Sequence, residues 1–295
     1  MRTFLLVAWF QVGTIACCEP TSIAQEPQDS KKQSAAQRAV VVANLKKADL
    51  DKASIIETDH FLVATTLPED KAKALGATLE KVVPVARKAL QFDNTEEPWP
   101  GKLTVYYLPN SREFKSFMRS VAQVQPDSVH YEIRSDPPYL VDPVDVSVKA
   151  TEAEQFARTA SVVATAYLKS KAGNATIPTW FADGFGRAVA ARAEGLNSKR
   201  YTAYRNSSRS LASKGWKASD LWSEAKPTNT ELLATSFIEF LAFGPMAKDF
   251  TRIVSGFRAD ENGTSPTIQA ALEAGGWKDI AALDAAWKRW VSTPR

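Results

Sequence analysis

Few side chains in this sequence could bind a metal ion or act as a nucleophile. The chain of 295 residues has only two histidines, His60 and His130, and two cysteines, Cys17 and Cys18. Both cysteines lie near the N-terminus, so the rest of the chain has no thiol for a disulfide bond, a cysteine-based zinc site or nucleophilic catalysis. Any reaction chemistry must therefore come from hydroxyl groups, carboxylates and two imidazoles.

Two helices that could position such groups are predicted in the second half of the chain. The first spans residues 151–173, because Thr151 and Glu154 form a capping-box pattern and Gly173 marks its end. The second spans residues 178–195 and starts with a proline, which is favourable in the first turn of a helix. Apolar residues recur at helical spacing along the first helix, so the pair should pack against a core.

The polar positions on these helices have the spacing of a zinc-protease site without its ligands. The first helix contains Ser161, Val162 and Thr165, and the second contains Trp180 and Asp183. The pair resembles that of the gluzincin superfamily, in particular the exported peptidase-MA-like group, which has His-Glu-x-x-His followed by Trp-x-x-Glu-Gly. On that pattern Ser161 and Thr165 occupy the two histidine positions. Val162 replaces the general-base glutamate, and Asp183 replaces the third ligand.

The substituted residues cannot reproduce the chemistry of such a site. A catalytic zinc ion needs three protein ligands and an open position for water. The protonated hydroxyls of Ser161 and Thr165 are poor ligands, and Val162 cannot take a proton from water. Asp183 is one methylene shorter than glutamate and has no imidazole beside it in the pattern. The resemblance thus implies the fold and argues against the activity, and we predict no catalytic residue, metal or cofactor.

A rebuilt hydrolase site is the alternative to a lost one. It would bring His60 and His130 together with Asp183 or Glu152. The simpler interpretation is that both are ordinary histidines on strands, since the sequence shows no side chains that would hydrogen-bond to the ligands of a metal site. Ser161 could also be considered as a nucleophile, but it lies in mid-helix, outside any nucleophile-elbow pattern.

Two glycines near Asp183 predict close packing of the second helix. Gly184 and Gly186 each weaken a helix by roughly 1 kcal/mol relative to alanine, so they indicate the close approach of another helix, plausibly the first one. Ser161 would then be a small residue that allows this contact. Asp183 is predicted to hydrogen-bond to Ser161 or Thr165 across the vacated site, which would satisfy a half-buried carboxylate without a metal.

The N-terminus predicts export. Residues 4–12 form an uncharged apolar run that is too short to span a bilayer and is typical of a signal peptide. Residues 14–17 are similar to a lipobox, which makes Cys17 a candidate lipidation site, although the usual leucine is missing. Cleavage after Ala24, with soluble secretion, is the alternative.

Charge argues against a nucleic-acid partner. The formal net charge is only +4, and the basic residues are scattered among acidic ones, whereas nucleic-acid-binding domains usually have a basic stripe. Contact with a membrane is predicted only through a lipid anchor, and the sequence indicates no oligomeric state.

The order of predicted elements gives an α+β fold. Residues 1–24 are the signal segment, 25–50 a tether with a leading helix, 51–150 an α/β subdomain and 151–295 a mainly helical subdomain. The resemblance covers about residues 52–292 and implies a zincin-like arrangement, in which N-terminal helices and a small mixed sheet precede a helical half that contains the helix pair.

The local predictions place strands at 54–66 and 103–107 and an edge hairpin within 129–148. Ser111 is predicted as a helix N-cap, and Pro84 should kink or break its helix. The predicted helices span 35–50, 68–92, 111–121, 151–173, 178–195, 201–214, 230–242, 247–257, 266–274 and 279–292.

Three functions are consistent with these features. The first is an exported, non-catalytic gluzincin-like domain that binds an extended peptide or polymer in the former cleft, beside an edge strand. The second is the hydrolase with a rebuilt site. The third is a structural envelope scaffold, whose cleft would be filled by Val162, Tyr167 and Phe181.

Overall fold

The computed structural model describes residues 27–125, 131–133, 139–143, 150–223, 229–259 and 263–293. Within these ranges the chain forms ten α-helices and one five-stranded sheet, which confirms the predicted α+β class. His130 and the segment that contains Cys17 lie outside the described residues.

The sheet is mixed, with antiparallel strands at both edges. In chain order the strands are β1 (Ser54–Glu57), β2 (Phe61–Thr65), β3 (Leu103–Leu108), β4 (Tyr131–Ile133) and β5 (Tyr139–Pro143). Their order in the sheet is β1-β2-β3-β5-β4. The central strands β2, β3 and β5 are parallel, with Val63 opposite Val105 and Val105 opposite Leu140. The predicted hairpin is the antiparallel pair β4–β5, and β4 is the edge strand.

Helices cover both faces of this sheet, which is why every residue of β2 and β3 is buried. Helices α1 (Pro27–Lys47) and α3 (Ser111–Phe117) pack on the face that includes Leu62 and Tyr106. The opposite face, with Val63 and Val105, forms a larger core with α2 (Glu69–Ala89) and the C-terminal helices. Alternate residues of β2 and β3 therefore belong to two different cores.

The C-terminal half is helical where it is described. Its helices are α4 (Glu152–Ala172), α5 (Thr179–Ala193), α6 (Lys199–Ser213), α7 (Thr230–Phe243), α8 (Phe250–Ser255), α9 (Ile268–Ala274) and α10 (Ile280–Ser292). Helix α5 packs between α4 and α7. The tryptophans of α10 anchor it: Trp287 and Trp290 are buried, and the Trp287 indole N–H donates to the Ser236 hydroxyl at 3.2 Å.

Helix α1 begins earlier than predicted. Residues 27–34 were expected to belong to a flexible tether, but the helix starts at Pro27. The lysines and glutamines in this stretch are good helix formers. Tertiary contacts hold the helix in place: the Ser34 hydroxyl donates to Glu57, and the Gln37 side chain hydrogen-bonds to the backbone of Lys102.

One prediction about helix termini was wrong, and of the kink or break predicted at Pro84 the break does not occur. Asn110, not Ser111, caps α3, because its side-chain oxygen accepts from the Arg112 backbone N–H at 2.8 Å. Helix α2 continues through Pro84 without a break. The residues around this proline, among them Val82 and Val83, are buried in the core, and packing offsets the hydrogen bond that proline cannot donate.

A buried charge cluster that the sequence analysis did not identify joins α5, α6 and α7. Glu239 of α7 is fully buried and accepts from Arg192 Nε at 2.8 Å and from the Tyr201 hydroxyl at 2.6 Å. The Tyr204 hydroxyl donates to its other oxygen at 3.1 Å, and Arg205 forms a second ion pair at 3.6 Å. Burial, reinforced by the Glu239 charge, raises the pKa of Tyr201 to about 12.

Substitution of Glu239 by glutamine tests how much this cluster contributes to the free energy of unfolding. Glu239→Gln leaves two buried guanidinium groups without their counter-charge, which typically costs about 3 kcal/mol or more. The matched control is Glu231→Gln on the same helix, because Glu231 pairs with Arg187 at the surface, where such pairs contribute less than about 1 kcal/mol. Urea denaturation of both variants measures the difference. Equal costs for the two substitutions would contradict a structural role of the buried cluster.

Candidate functional site

Local signals fix the start of each helix in the candidate pair. The Thr151 hydroxyl accepts from the Glu154 backbone N–H at 3.3 Å, and the Glu154 carboxylate accepts from the Thr151 N–H at 2.7 Å, which completes the predicted capping box of α4. Pro178 immediately precedes the first residue of α5. The polar positions of the two helices are therefore held at fixed points along their axes.

The two helices meet at Gly186, as the sequence predicted. A Cβ atom at Gly186 would overlap the Ser161 carbonyl oxygen and the Thr165 hydroxyl, and it would lie 2.8 Å from Ser161 Oγ. Gly184 allows a close contact on the other side of α5, since a Cβ there would lie 3.0 Å from the Ala234 carbonyl oxygen of α7. The two glycines allow α5 to fit between its neighbours.

Asp183 does not make the hydrogen bond that was predicted for it. The Thr165 hydroxyl instead lies within hydrogen-bond distance of two carbonyl oxygens, those of Ser161 at 3.1 Å and Ala182 at 3.2 Å. No hydrogen bond or ion pair joins Asp183 to another described residue. The physical reason is its exposure: Asp183 is only partly buried, so water can satisfy its carboxylate, whereas Thr165 is buried and must find a partner within the protein.

The residues at the seam do not fit a zinc ion. The Thr165 hydroxyl is directed to backbone carbonyls, Val162 is a buried hydrocarbon, and Ser161 offers only a neutral hydroxyl. Asp183 is then the single good ligand, where a catalytic zinc needs three. Across the described part of the chain, His, Cys, Asp and Glu side chains nowhere form a group of three or more suited to a metal ion.

Two of the residues considered for a rebuilt hydrolase site, His60 and Glu152, are engaged elsewhere. His60 Nδ1 lies 2.7 Å from Glu80, and Glu152 pairs with Lys71 at 2.5 Å. Burial acts to raise the pKa of Glu80, but hydrogen bonds from Thr58 and from the backbone and ring of His60 outweigh it and lower that pKa. The shallow cavity beside His60 is lined by residues from α2 and the loop that follows it.

The three side chains expected to fill the cleft in a structural scaffold, Val162, Tyr167 and Phe181, are buried in the main core. Phe181 lies parallel to Phe250 at a ring distance of 6.0 Å. Tyr167 packs edge-on against Trp99 at 4.7 Å. Val162 is buried in the same core. Aromatic packing of this kind stabilises the domain. The seam between α4 and α5 is open beside Ala157 and Ala190, which line a cavity.

Two cavities lie along that open part of the seam. The first, about 290 Å³, is lined by Ser161 together with Arg158, Arg187 and Arg200, and we refer to it as the arginine cavity. The second, about 700 Å³, lies beside the N-caps of α4 and α6, and we refer to it as the cap cavity. Residues that line both are Ala157, Ala190, Glu194 and Arg200.

Sequence analysis also missed a buried carboxylate beneath α4. Asp142 of β5 is 2% exposed and accepts from the Thr159 hydroxyl at 2.5 Å, while its other oxygen has no partner among the described residues. Burial raises the pKa of Asp142 to about 6, against the effects of Thr159 and of the Arg158 charge. The sequence did contain a signal for both buried carboxylates, because each is an acidic residue in an apolar segment: Asp142 in β5 and Glu239 in α7.

Comparison with known proteins adds no family assignment. No protein-family model matches the chain, and a search of curated proteins finds no match. The likeness to gluzincins therefore rests on the helix pair and on the order of elements. None of the described helices combines the length and apolar character needed to cross a bilayer.

The contact at Gly186 can be tested by adding one methyl group. Gly186→Ala should destabilise the protein by about 2–3 kcal/mol, the upper range for overpacking, because a backbone oxygen of α4 stands in the way. Gly184→Ala is the matched control on the same helix and should cost about 1 kcal/mol, since its nearest neighbours lie at 3.0 Å. Thermal and urea unfolding measure both. A Gly186→Ala protein as stable as the wild type would refute the close contact.

Asp142 predicts a specific pH dependence of stability. Its pKa is raised to about 6 in the folded protein, from an ordinary value of 3.8, so the folded state binds the proton more tightly than the unfolded state. As pH rises from about 4 to about 6, this group should therefore lower the free energy of unfolding by up to about 3 kcal/mol. Above that range its contribution should level off. In Asp142→Asn this part of the pH dependence should disappear, while Thr159 can still donate to the amide oxygen. Parallel stability curves for the variant and the wild type would contradict the prediction.

Proposed function

We propose that this protein is an exported, non-catalytic gluzincin-like domain that binds an extended peptide along the seam between α4 and α5. The first support for a non-catalytic role is that the seam offers neither a set of metal ligands nor a general base at the matching positions. Ser161, Val162 and Thr165 occupy the positions where the resemblance would place two ligands and a base, and none of them can perform those roles. Export follows from the apolar N-terminal run, and Cys17 is the candidate site of a lipid anchor.

The observation that carries the binding proposal is the pair of neighbouring cavities. Their shared floor consists of Ala157 and Ala190, so a ligand backbone could approach both helices without meeting large side chains. Glu194 and Arg200, paired at 2.7 Å, stand on the rim common to both cavities. Binding sites commonly combine such an apolar floor with a few polar groups that fix orientation.

The described lining of both cavities comes from helices, so the proposal differs in one respect from the expectation of an edge-strand cleft. The edge strand β4 pairs with β5 through Glu132 opposite Leu140. The peptide is proposed to lie in the helical groove, held by side chains. Backbone pairing with β4 is not required.

Filling the groove tests the proposal. Ala193 is partly exposed, lines the cap cavity and packs at the edge of the main core, so Ala193→Phe should place an aromatic ring in the groove. The probe is a set of fluorescent octapeptides, acetylated and amidated, with apolar, polar, acidic or basic central residues. At least one class should bind, and Ala193→Phe should weaken that binding about tenfold or more in fluorescence anisotropy.

The matched control is Ala203→Phe on the exposed side of α6, which should bind peptide as the wild type does. Thermal unfolding checks that both variants fold. Failure of every peptide class to bind the folded wild-type protein would overturn the proposal, as would undiminished binding by Ala193→Phe. One equivalent of zinc in the purified protein together with cleavage of casein would instead support the rebuilt hydrolase.

A further inference from the structure

A third cavity lies where three helices end, and we refer to it as the Leu196 cavity. It has a volume of about 640 Å³ and is formed by the C-terminal ends of α2, α5 and α7 and by the segment that leads into α8. The Gln91 side chain lines it and donates to the Lys248 carbonyl oxygen at 2.9 Å, which ties the end of α2 to that segment. None of its lining residues also lines the arginine cavity or the cap cavity, so it is a separate candidate site.

Most of the lining of the Leu196 cavity is apolar. Seven of its eleven residues are proline, valine, alanine, leucine or phenylalanine, among them Val85 and Phe243. The Leu196 side chain is 50% exposed, and only three other large apolar side chains are exposed in the described part of the chain. A single exposed leucine is ordinary, but here it continues the apolar wall of a cavity. An apolar group bound there would remove this surface from water.

Every charged residue in the lining is a cation. These residues are Lys88, Arg192 and Lys248, and neither aspartate nor glutamate lines the cavity. No ion pair or side-chain hydrogen bond joins Lys88 or Lys248 to another described residue. A bound anion would therefore not have to displace an acidic side chain from either lysine.

Arg192 has an acidic partner, but it shares that partner with a second arginine. Its Nε donates to Glu239 at 2.8 Å, and Glu239 also pairs with Arg205 at 3.6 Å. The Arg192 Nη2 nitrogen is buried and makes no hydrogen bond to a described residue. Its guanidinium group lies over the Phe243 ring, 4.2 Å from the ring centre. The cationic and apolar parts of the lining are therefore in direct contact.

Helix dipoles account for the position of the cations but not for the apolar wall beside them. Lys88 and Arg192 lie in the last turns of α2 and α5, where a positive charge is favourable. A helix C-terminus carries only about half a negative charge, so it does not neutralise a lysine. An interaction with the dipole also requires neither a cavity nor an exposed leucine.

We infer that the Leu196 cavity binds a small amphipathic anion, an apolar chain that ends in a carboxylate. The carboxylate accepts charge-assisted hydrogen bonds from the two lysines and Arg192, and the chain covers Leu196 and contacts Phe243. A purely apolar ligand would desolvate the cations without pairing them, and a small inorganic anion would leave the apolar wall in water. Only a ligand with both parts matches this lining.

Three small molecules separate the two parts of the inference. Isothermal titration calorimetry at low ionic strength should show one octanoate bound per chain. Octan-1-ol has the same chain without the charge and should bind about tenfold more weakly, as expected when a charge-assisted hydrogen bond is lost. Acetate has the charge without the chain and should give no measurable binding at the same concentrations.

Variants of exposed residues locate the site. Lys88→Gln and Lys248→Gln should each weaken octanoate binding about threefold, in line with the contribution of an exposed ion pair. Leu196→Ser should weaken it about fivefold or more through the loss of apolar contact. The matched controls are Lys47→Gln and Val42→Ser on α1, across the sheet, and Val42 is 52% exposed. Both controls should bind octanoate as the wild type does, and thermal unfolding checks that every variant folds.

Three results would overturn the inference. The first is equal affinity for octanoate and octan-1-ol, and the second is octanoate binding that does not saturate at one molecule per chain. The third is unchanged affinity in Leu196→Ser or in the double variant Lys88→Gln/Lys248→Gln. Peptide binding at the seam is tested separately, because the two sites have no lining residue in common.

Discussion

The close contact between α4 and α5 at Gly186 is the constraint on which the rest of the helical half depends. Because residue 186 has no side chain, α5 lies directly against the Ser161 carbonyl and the Thr165 hydroxyl. Gly184 lets α7 approach from the other side, so three helices pack as one layered unit on the sheet. The aromatic core around Phe181 and Phe250 fills the space beneath them.

That contact also decides what the seam can do chemically. It directs the Thr165 hydroxyl to backbone carbonyls and leaves Asp183 partly exposed at the edge of the pair. Elsewhere along the pair, a cavity between the two helices is lined by Ala157 and Ala190 together with arginine side chains. The same helix pair thus contains a close contact at Gly186 and a cavity with a floor of small residues. Our proposal of a binding domain follows from this combination.

Much of the scaffold could be predicted because its signals are local. The capping box at Thr151, the proline before α5 and the tryptophans of α10 all act within a few residues or along one helix face, so the sequence displays them directly. The two glycines predicted close packing correctly. The errors at the start of α1 and at the N-cap of α3 arose where tertiary packing or a neighbouring residue overrode a propensity.

The sequence by itself determined the helix pair, the α+β class and the lack of good metal ligands at Ser161 and Thr165. These depend on residue type and on spacing along one chain segment. Only the tertiary structure decided that Asp183 has no bond across the seam, that Glu239 and Asp142 are buried, and that arginines from three helices share one cavity. The physical reason is that burial and charge pairing join residues far apart in sequence, and no local pattern records which distant groups will meet.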